Sequence, residues 1–424
     1  VNLSEYGSIN RECKVQATLT IEKMLHGARA LARLPDGRVA LIRGALPGET
    51  VEATLVSQKG VLLGTVTRVY TPHPDRIPPS PHPGLDYSHI RYAAQLELKR
   101  AVIVDALRRA LKQDVVVPAV RAAPQPWRYR HTIQPVVSAA GLGYRRPESH
   151  EVVLLPDDPV AADSLNRVWR QLATLKRPKG IREVVLRGND AGEVLVALVA
   201  RASARNYLDF AHELLRHGVV GVSYAPYDAR GRFRSGSERL AGKRSIQQRY
   251  GDYAISVSAG NFAQPNPAAA GELYKTIQTL APGGRHALDL YAGSGIIAMH
   301  LAARYEQLTA LERDRSSVSR GQQDAERLGL SHLKYVRADA KALTIPTDTD
   351  LITVDPPRSG LSKQVRAAIS QSAVKVLIYV SCEVATWARD VAELTQQGWQ
   401  LTTVMPFDFY PQTHHIELLS VLQR

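Results

Sequence analysis

Between Val15 and Tyr70 apolar and polar residues alternate in short bursts. Val15–Ile21, Ala30–Leu34, Val39–Ile42, Glu49–Val56 and Val61–Val69 are rich in Val, Leu, Ile and Thr, with turn signals at Pro35-Asp36-Gly37 and Pro47-Gly48. Five short strands of this kind predict a small, OB-like β-barrel, a common nucleic-acid-binding shape. The prolines between Pro72 and Pro83 predict a linker or irregular surface segment. Leu96, Leu98, Ala101, Val104, Leu107 and Leu111 recur on one side of a predicted helix. From Val115 to about Val257 the pattern is mixed: strand-like stretches at Val184–Leu186 and Val194–Val199, and a helix at Asn206–His217, predict a separate α+β domain. From His286 onward strand and helix patterns alternate strictly. Candidate strands are Ala287–Leu290, Leu308–Leu311, Lys334–Val336, Leu351–Val354, Val376–Val380, Leu401–Met405 and Ile416–Leu422. That alternation predicts an α/β, Rossmann-like domain with a parallel sheet and right-handed crossovers. The expected division is 1–73, 74–258 and 259–424, and no internal repeat is visible.

Composition changes this picture in two ways. A formal net charge of +14 over 424 residues points to an anionic partner, nucleic acid or a charged membrane surface. No apolar run approaches the ~18 residues of a membrane span, and Val1 to Lys14 lacks an apolar signal core, so a soluble, cytoplasmic protein without membrane contact is expected. Secondly, there are only two cysteines, Cys13 and Cys382, too few for a disulfide scaffold or a four-cysteine metal site. Cys13, in a polar lead, reads as an incidental thiol. The basic residues cluster. Arg128, Arg130, Arg145 and Arg146 form one group, and Arg230, Arg232, Arg234, Arg239, Lys243 and Arg244 another, with Trp127, Tyr129 and Phe233 among them. Such runs are often only solvated faces, but with this net charge and a barrel in front they read as phosphate contacts.

The candidate chemistry lies in the last domain. Asp289-Leu290-Tyr291-Ala292-Gly293-Ser294-Gly295 follows the first strand and opens a helix, so its glycines allow a tight turn and close approach of a ligand. Glu312 ends the second strand, where a carboxylate can bind ribose hydroxyls. Asp339 follows the third, where an adenine contact would sit. These features suit a nucleotide-like cofactor, NAD or S-adenosylmethionine alike. Asp355-Pro356-Pro357-Arg358 ends the fourth strand, and Cys382 ends the next. A helix follows Cys382, and a helix N-terminus favours a thiolate. Glu417 interrupts an otherwise apolar final strand. Thiol and carboxylate at one sheet edge suit addition–elimination chemistry.

Taken in order, Phe262-Ala263-Gln264-Pro265-Asn266, Asp289 to Gly295, Asp355-Pro356-Pro357-Arg358, Ser381-Cys382 with Thr386, Ala388, Arg389 and Asp390, and His415-Ile416-Glu417 resemble the RNA 5-methyluridine methyltransferase family. Val15 to Tyr70 resembles the TRAM domain that many members carry, notably Gly27 to Leu34 and Gly44 to Glu49. Tyr92, Gln95 to Lys99, and Gly143 to His150 add to the likeness. The resemblance implies that Cys382 adds to C6 of a uracil, that C5 then attacks the methyl group of S-adenosylmethionine, and that Glu417 removes the C5 proton. Asp355 would orient the uracil edge and approach the cofactor. Gln264, Asp289, Tyr291, Gly293, Gly295, Glu312 and Asp339 would line the cofactor site. Phe262, Gln264, Asn266 and Arg358 would meet the base or its phosphate, and Arg130, Arg145, Arg232 and Arg234 the RNA. The helix from Ala94 to Leu111 would pack on the catalytic domain, as in the family. Substrates implied are 23S ribosomal RNA, favoured by the TRAM likeness, or the tRNA T-loop, and a monomer is expected.

Two departures stand out. The stretch Pro79 to His89 lacks the cysteines that hold an iron–sulfur cluster in many relatives, so no cluster and no metal are expected. Glu383-Val384 replaces the usual Asn-Pro after the cysteine, and an acid there would raise the thiol pKa. Competing readings are an NAD-dependent oxidoreductase, in which Cys382 and Glu417 have no obvious use, and a non-enzymatic RNA-binding or chaperone module with a vestigial cofactor fold.

Overall fold

The computed structural model describes residues 14–342 and 344–424, and Cys13 lies outside them. The alternating N-terminal segment forms β1 (Val15–Leu25), β2 (Arg29–Arg33), β3 (Val39–Arg43), β4 (Thr50–Gln58) and β5 (Val61–Thr71). They close into a barrel in the order β1-β2-β3-β5-β4. In β1, Ala17, Leu19 and Ile21 point inward while Thr18, Thr20 and Glu22 are exposed, the two-residue period of a half-buried strand. The proline-rich stretch that follows is irregular. Its entry is tied to the barrel by the buried Glu49 carboxylate, which accepts from the Leu46 and His73 backbone N–H groups and from Arg76. The long helix α1 (Tyr92–Leu111) comes next.

The central region holds β6 (Thr132–Ile133), β7 (Val136–Ser138), β8 (Gly141–Arg145), β9 (Val152–Leu154), α2 (Asp163–Thr174), β10 (Ile181–Gly188), β11 (Val194–Ala200), α3 (Leu208–Arg216), β12 (Gly221–Pro226) and β13 (Glu238–Gly242). Its sheet runs β13-β12-β11-β10-β7-β8-β9, with β6 also on β10. A separate hairpin, β14 (Ile246–Tyr250) and β15 (Tyr253–Val257), follows. The C-terminal part is α4 (Pro267–Leu280), β16 (Gly284–Leu290), α5 (Ile296–Leu301), β17 (Tyr305–Glu312), α6 (Arg315–Arg327), β18 (Leu333–Arg337), β19 (Thr349–Val354), α7 (Lys363–Gln371), β20 (Val376–Ser381), α8 (Val384–Gln396), β21 (Gln400–Phe407) and β22 (Glu417–Gln423). Its sheet order is β18-β17-β16-β19-β20-β22-β21.

The expectation of a wholly parallel sheet is corrected here. The pairs among β16 to β20 are parallel, but β22 inserts between β20 and β21 antiparallel to both. The physical reason is chain length: a parallel crossover takes about a dozen residues or more, and the segment 408–416 is too short for one.

Contacts cross between these parts. Ile103 and Leu107 of α1 share a core with Val391 and Leu394 of α8. Ile246, Tyr250, Ile255 and Val257 of the β14–β15 hairpin pack in one core with Ala287 and Leu308. Lys99 of α1 and Asp408 form a fully buried ion pair at 2.7 Å. Gln95 exchanges hydrogen bonds with Gln412, whose φ of 68° is held in place by them. No helix among the described residues is long and apolar enough to cross a membrane.

Candidate active site

The C-terminal ends of β16, β17, β19 and β20 open into a cleft of about 1880 Å³, the edge at which open α/β sheets place ligands. The loop after β16 curls over this edge, with positive φ at Tyr291 (61°), Gly293 (57°) and Gly295 (80°). The two glycines serve different ends. A Cβ on Gly293 would meet nothing within 4 Å, so its backbone faces open space, whereas one on Gly295 would overlap the Tyr335 hydroxyl. Glu312 accepts from the Gly293 N–H at 3.1 Å and the Asp314 N–H at 2.7 Å. Tyr291, Gly293, Glu312 and Asp339 line the cleft. Asp289 lies beneath the loop and is 1 % exposed. It accepts from the Thr353 hydroxyl at 2.6 Å, and its Oδ2 has no partner among the described residues. Burial pushes its pKa up to about 7. Asp289 thus sits beneath the loop and Gly295 packs against Tyr335, while Tyr291, Gly293, Glu312 and Asp339 face the cleft.

Strand register brings the reactive candidates together. Ser381 pairs with Leu418 across β20 and β22, so Cys382 and Glu417 occupy the next rung. Val354 pairs with Tyr379, which sets Asp355 at the same edge. Antiparallel β22 is what allows this, because its first residue then lies beside the end of β20, with the end of β19 one strand further on. All three side chains line the cleft. Glu417 is 1 % exposed and its Oε1 has no partner among the described residues. Burial, and then the charge of Asp355, raise Glu417 well above the carboxylate range, and burial raises Asp355 as well. The Cys382 thiol is pushed up to about 12 by burial, then by Glu417 and Asp355, against the pull of Arg358. Burial first, and then the two acids facing the thiol, thus overrule the thiolate expected from the helix behind Cys382. Glu383, the neighbour expected to do this, is engaged elsewhere, at 2.8 Å from His26. Thr386 and Arg389 of α8 donate to the Arg358 and Ser359 carbonyls, and Asp390 accepts from the Leu361 N–H, so the loop after Asp355 is tied to α8.

Phe262 stands 83 % exposed at the cleft wall. Gln264, also on the wall, approaches the Tyr410 hydroxyl at 3.5 Å. Arg358, Arg130 and Arg234 face the cleft. Three expected substrate contacts are engaged elsewhere. Asn266 is 1 % exposed: it caps α4 by accepting from Ala269 N–H and donates to the Phe409 carbonyl. Arg145 and Arg232 both pair with the nearly buried Glu183, which offsets one of their two charges, and neither lines the cleft. Conversely, Tyr410 lines the cleft and was not singled out. It sits in the irregular segment between β21 and β22, where no periodicity marks it.

With this geometry in place, likeness to known proteins can be added. The family model described as tRNA (uracil-5-)-methyltransferase matches residues 234–424. The chain is 29 % identical to an uncharacterized RNA methyltransferase of Halalkalibacterium halodurans over 96 % of both chains. It is equally similar, 29 % over 96 % of both chains, to one of Gloeobacter violaceus. Among solved structures, Pyrococcus abyssi tRNA (uracil-54, C5)-methyltransferase in complex with S-adenosyl-L-homocysteine shares the fold with a TM-score of 0.76. It is 22 % identical, and the match covers 96 % of this chain and 100 % of that one.

Proposed function

We propose that the chain is an S-adenosylmethionine-dependent RNA (uracil-5-)-methyltransferase, as the family match over residues 234–424 and the similar RNA methyltransferases suggest, and that it methylates C5 of a uridine in 23S ribosomal RNA through a covalent adduct on Cys382. The observation that carries this reading is the β20–β22 register, which sets Cys382 and Glu417 side by side at the cleft edge.

The residues fit the cofactor. Gly293 leaves its backbone open to the cleft, Glu312 presents a carboxylate at the end of β17, and Asp339 follows β18. Burial raises both Asp355 and Glu417, the charge of Asp355 adds to the rise at Glu417, and Glu417 Oε1 has no partner among the described residues, a setting that favours a cation. When bound, S-adenosylmethionine supplies an electrophilic methyl group and a positive charge. Cys382 Sγ adds to C6 of the uracil, which makes C5 nucleophilic. Asp355 holds the polar edge of the base. After C5 is methylated, Glu417 takes the C5 proton, the Sγ–C6 bond breaks, and the thiolate is regenerated. Phe262 offers an exposed ring for stacking a base that has left its helix, at a cost of a few kcal/mol.

A second substrate reading, the tRNA T-loop, has its own support: the similar Pyrococcus abyssi enzyme is a tRNA (uracil-54, C5)-methyltransferase, and the match covers that whole chain. A barrel in front therefore does not by itself favour ribosomal RNA. The test is transfer of labelled methyl from S-adenosylmethionine to unmodified 23S RNA and tRNA in parallel. Label in 23S RNA, recovered as 5-methyluridine, supports the first reading. Label in tRNA alone overturns the substrate and keeps the chemistry.

A further inference from the structure

The turn between β1 and β2 carries the barrel into the catalytic edge. Gly27 and Ala28, at φ 82° and 55°, fold the chain back, and His26 beside them places Nε2 2.8 Å from Oε1 of Glu383, the residue after Cys382. The other ring nitrogen, Nδ1, is buried with no partner among the described residues. A proton there would be a buried donor without an acceptor. The ring therefore carries its proton on Nε2 and donates it to the carboxylate. His26 also meets His414 edge-on, with centroids 5.7 Å apart. His414 is itself fixed by Asp86 at 2.6 Å and lies 4.2 Å from the ring of His415 on the cleft wall. Of these three rings His26 alone reaches the Glu383 carboxylate, and it is backed by His414, which Asp86 fixes in turn.

We propose that His26 is a positioning residue of the methyl-transfer site: it holds the Glu383 carboxylate so that this charge does not join Asp355 and Glu417 against the Cys382 thiol. The inference rests on Cys382 being the nucleophile. The groups facing the thiol are Glu417 and Asp355, which disfavour its ionisation, Arg358, which favours it, and Tyr410. A released carboxylate on the adjacent residue would add to the disfavouring side. The hydrogen bond from His26 is also the largest influence keeping Glu383 ionised. His26 touches neither base nor cofactor in this account and acts only through Glu383.

The test reads the thiol directly. Alkylation of Cys382 by iodoacetamide is followed across pH in the full chain by peptide mass, beside methyl transfer and RNA affinity. His26→Ala should slow alkylation at pH 8 about three- to tenfold, lower kcat, and leave RNA affinity unchanged. The double variant H26A/E383Q should recover both rates to the level of Glu383→Gln alone, since an amide carries no charge. His26→Gln, which keeps an N–H donor, should be slowed less than His26→Ala. Wild-type alkylation in His26→Ala overturns the proposal. So does a loss that Glu383→Gln does not recover, because that means simple docking of the barrel. If alkylation follows the expected pattern and even the unaltered chain methylates no RNA, the positioning role stands and the function proposed above fails.

Discussion

At the scale of single residues, the acids of the cleft set its behaviour. Glu417 is buried, has no partner at Oε1 among the described residues, and starts β22 opposite the end of β20 that carries Cys382. If Glu417 is the base proposed above, its removal should stall the reaction after C5 is methylated, because the adduct then cannot eliminate. Glu417→Gln is therefore expected to lower turnover about 10²- to 10⁴-fold and to accumulate a protein–RNA adduct that survives denaturing electrophoresis. Cys382→Ala should form none. An active Glu417→Gln variant with no adduct would assign proton removal to another group. Asp289 gives a second, independent test through stability. Burial raises its pKa in the fold to about 7, above the usual carboxylate value. A raised acid stabilises the fold fully below its unfolded pKa, and that contribution is lost as pH climbs through the folded value. Asp289→Asn keeps an acceptor for the Thr353 hydroxyl and cannot ionise. Its melting temperature relative to the unaltered chain should rise between about pH 4 and pH 7. A constant difference across that range would mean that the fold does not raise the pKa of Asp289.

At the scale of elements, the segment 408–416 is irregular and yet held from several sides. Lys99 of α1 reaches Asp408, Gln95 locks Gln412, and Asp86 fixes His414. These anchors position Tyr410 and His415 on the cleft wall and the start of β22 with Glu417. Lys99→Met would leave the buried Asp408 uncompensated, a change that costs about 3–5 kcal/mol in comparable pairs. Urea unfolding should show this loss, and a second change, Asp408→Leu, should recover much of it. If the single variant is as stable as the parent, the pair is not what holds α1 to the loop. These same contacts mark the limit of what the sequence discloses. Strands β1 to β5 and β16 to β20 announce themselves through periods of two and short apolar runs. The motif positions Asp355, Cys382 and Glu417 fall at strand ends, and an edge can be read from that. Nothing in the local pattern tells that β22 runs antiparallel, that Asn266 caps a helix, or that Arg145 and Arg232 share Glu183. Each of these depends on a partner distant in sequence or on the length of a connection. His26 and Glu383 are the extreme case, being joined across almost the whole chain.

For the whole molecule, a net charge of +14 acquires meaning only when sorted by partner. Arg130 and Arg358 face the cleft and have no carboxylate partner within ion-pair distance among the described residues, and Arg234 lies there at 3.9 Å from Asp228. Arg145 and Arg232 converge on one carboxylate, Glu183, so together they present one net positive charge instead of two, and neither lines the cleft. Phosphate contacts release condensed counterions, and each one lost should lower the slope of log affinity against log salt by about 0.7 to 0.9. Arg130→Ala and Arg234→Ala should each flatten that slope by about this amount while preserving the preference for one RNA over another. Arg232→Ala should alter it less, because Arg232 is held against Glu183 and does not line the cleft. Filter binding from about 50 to 200 mM salt distinguishes the two groups. Equal slopes for all three variants would place the RNA outside the cleft and move the phosphate path to another face of the molecule. With the predicted order, the backbone runs along the cleft wall between the central sheet and the loop that carries Phe262, and a flipped base has a direct route to Cys382.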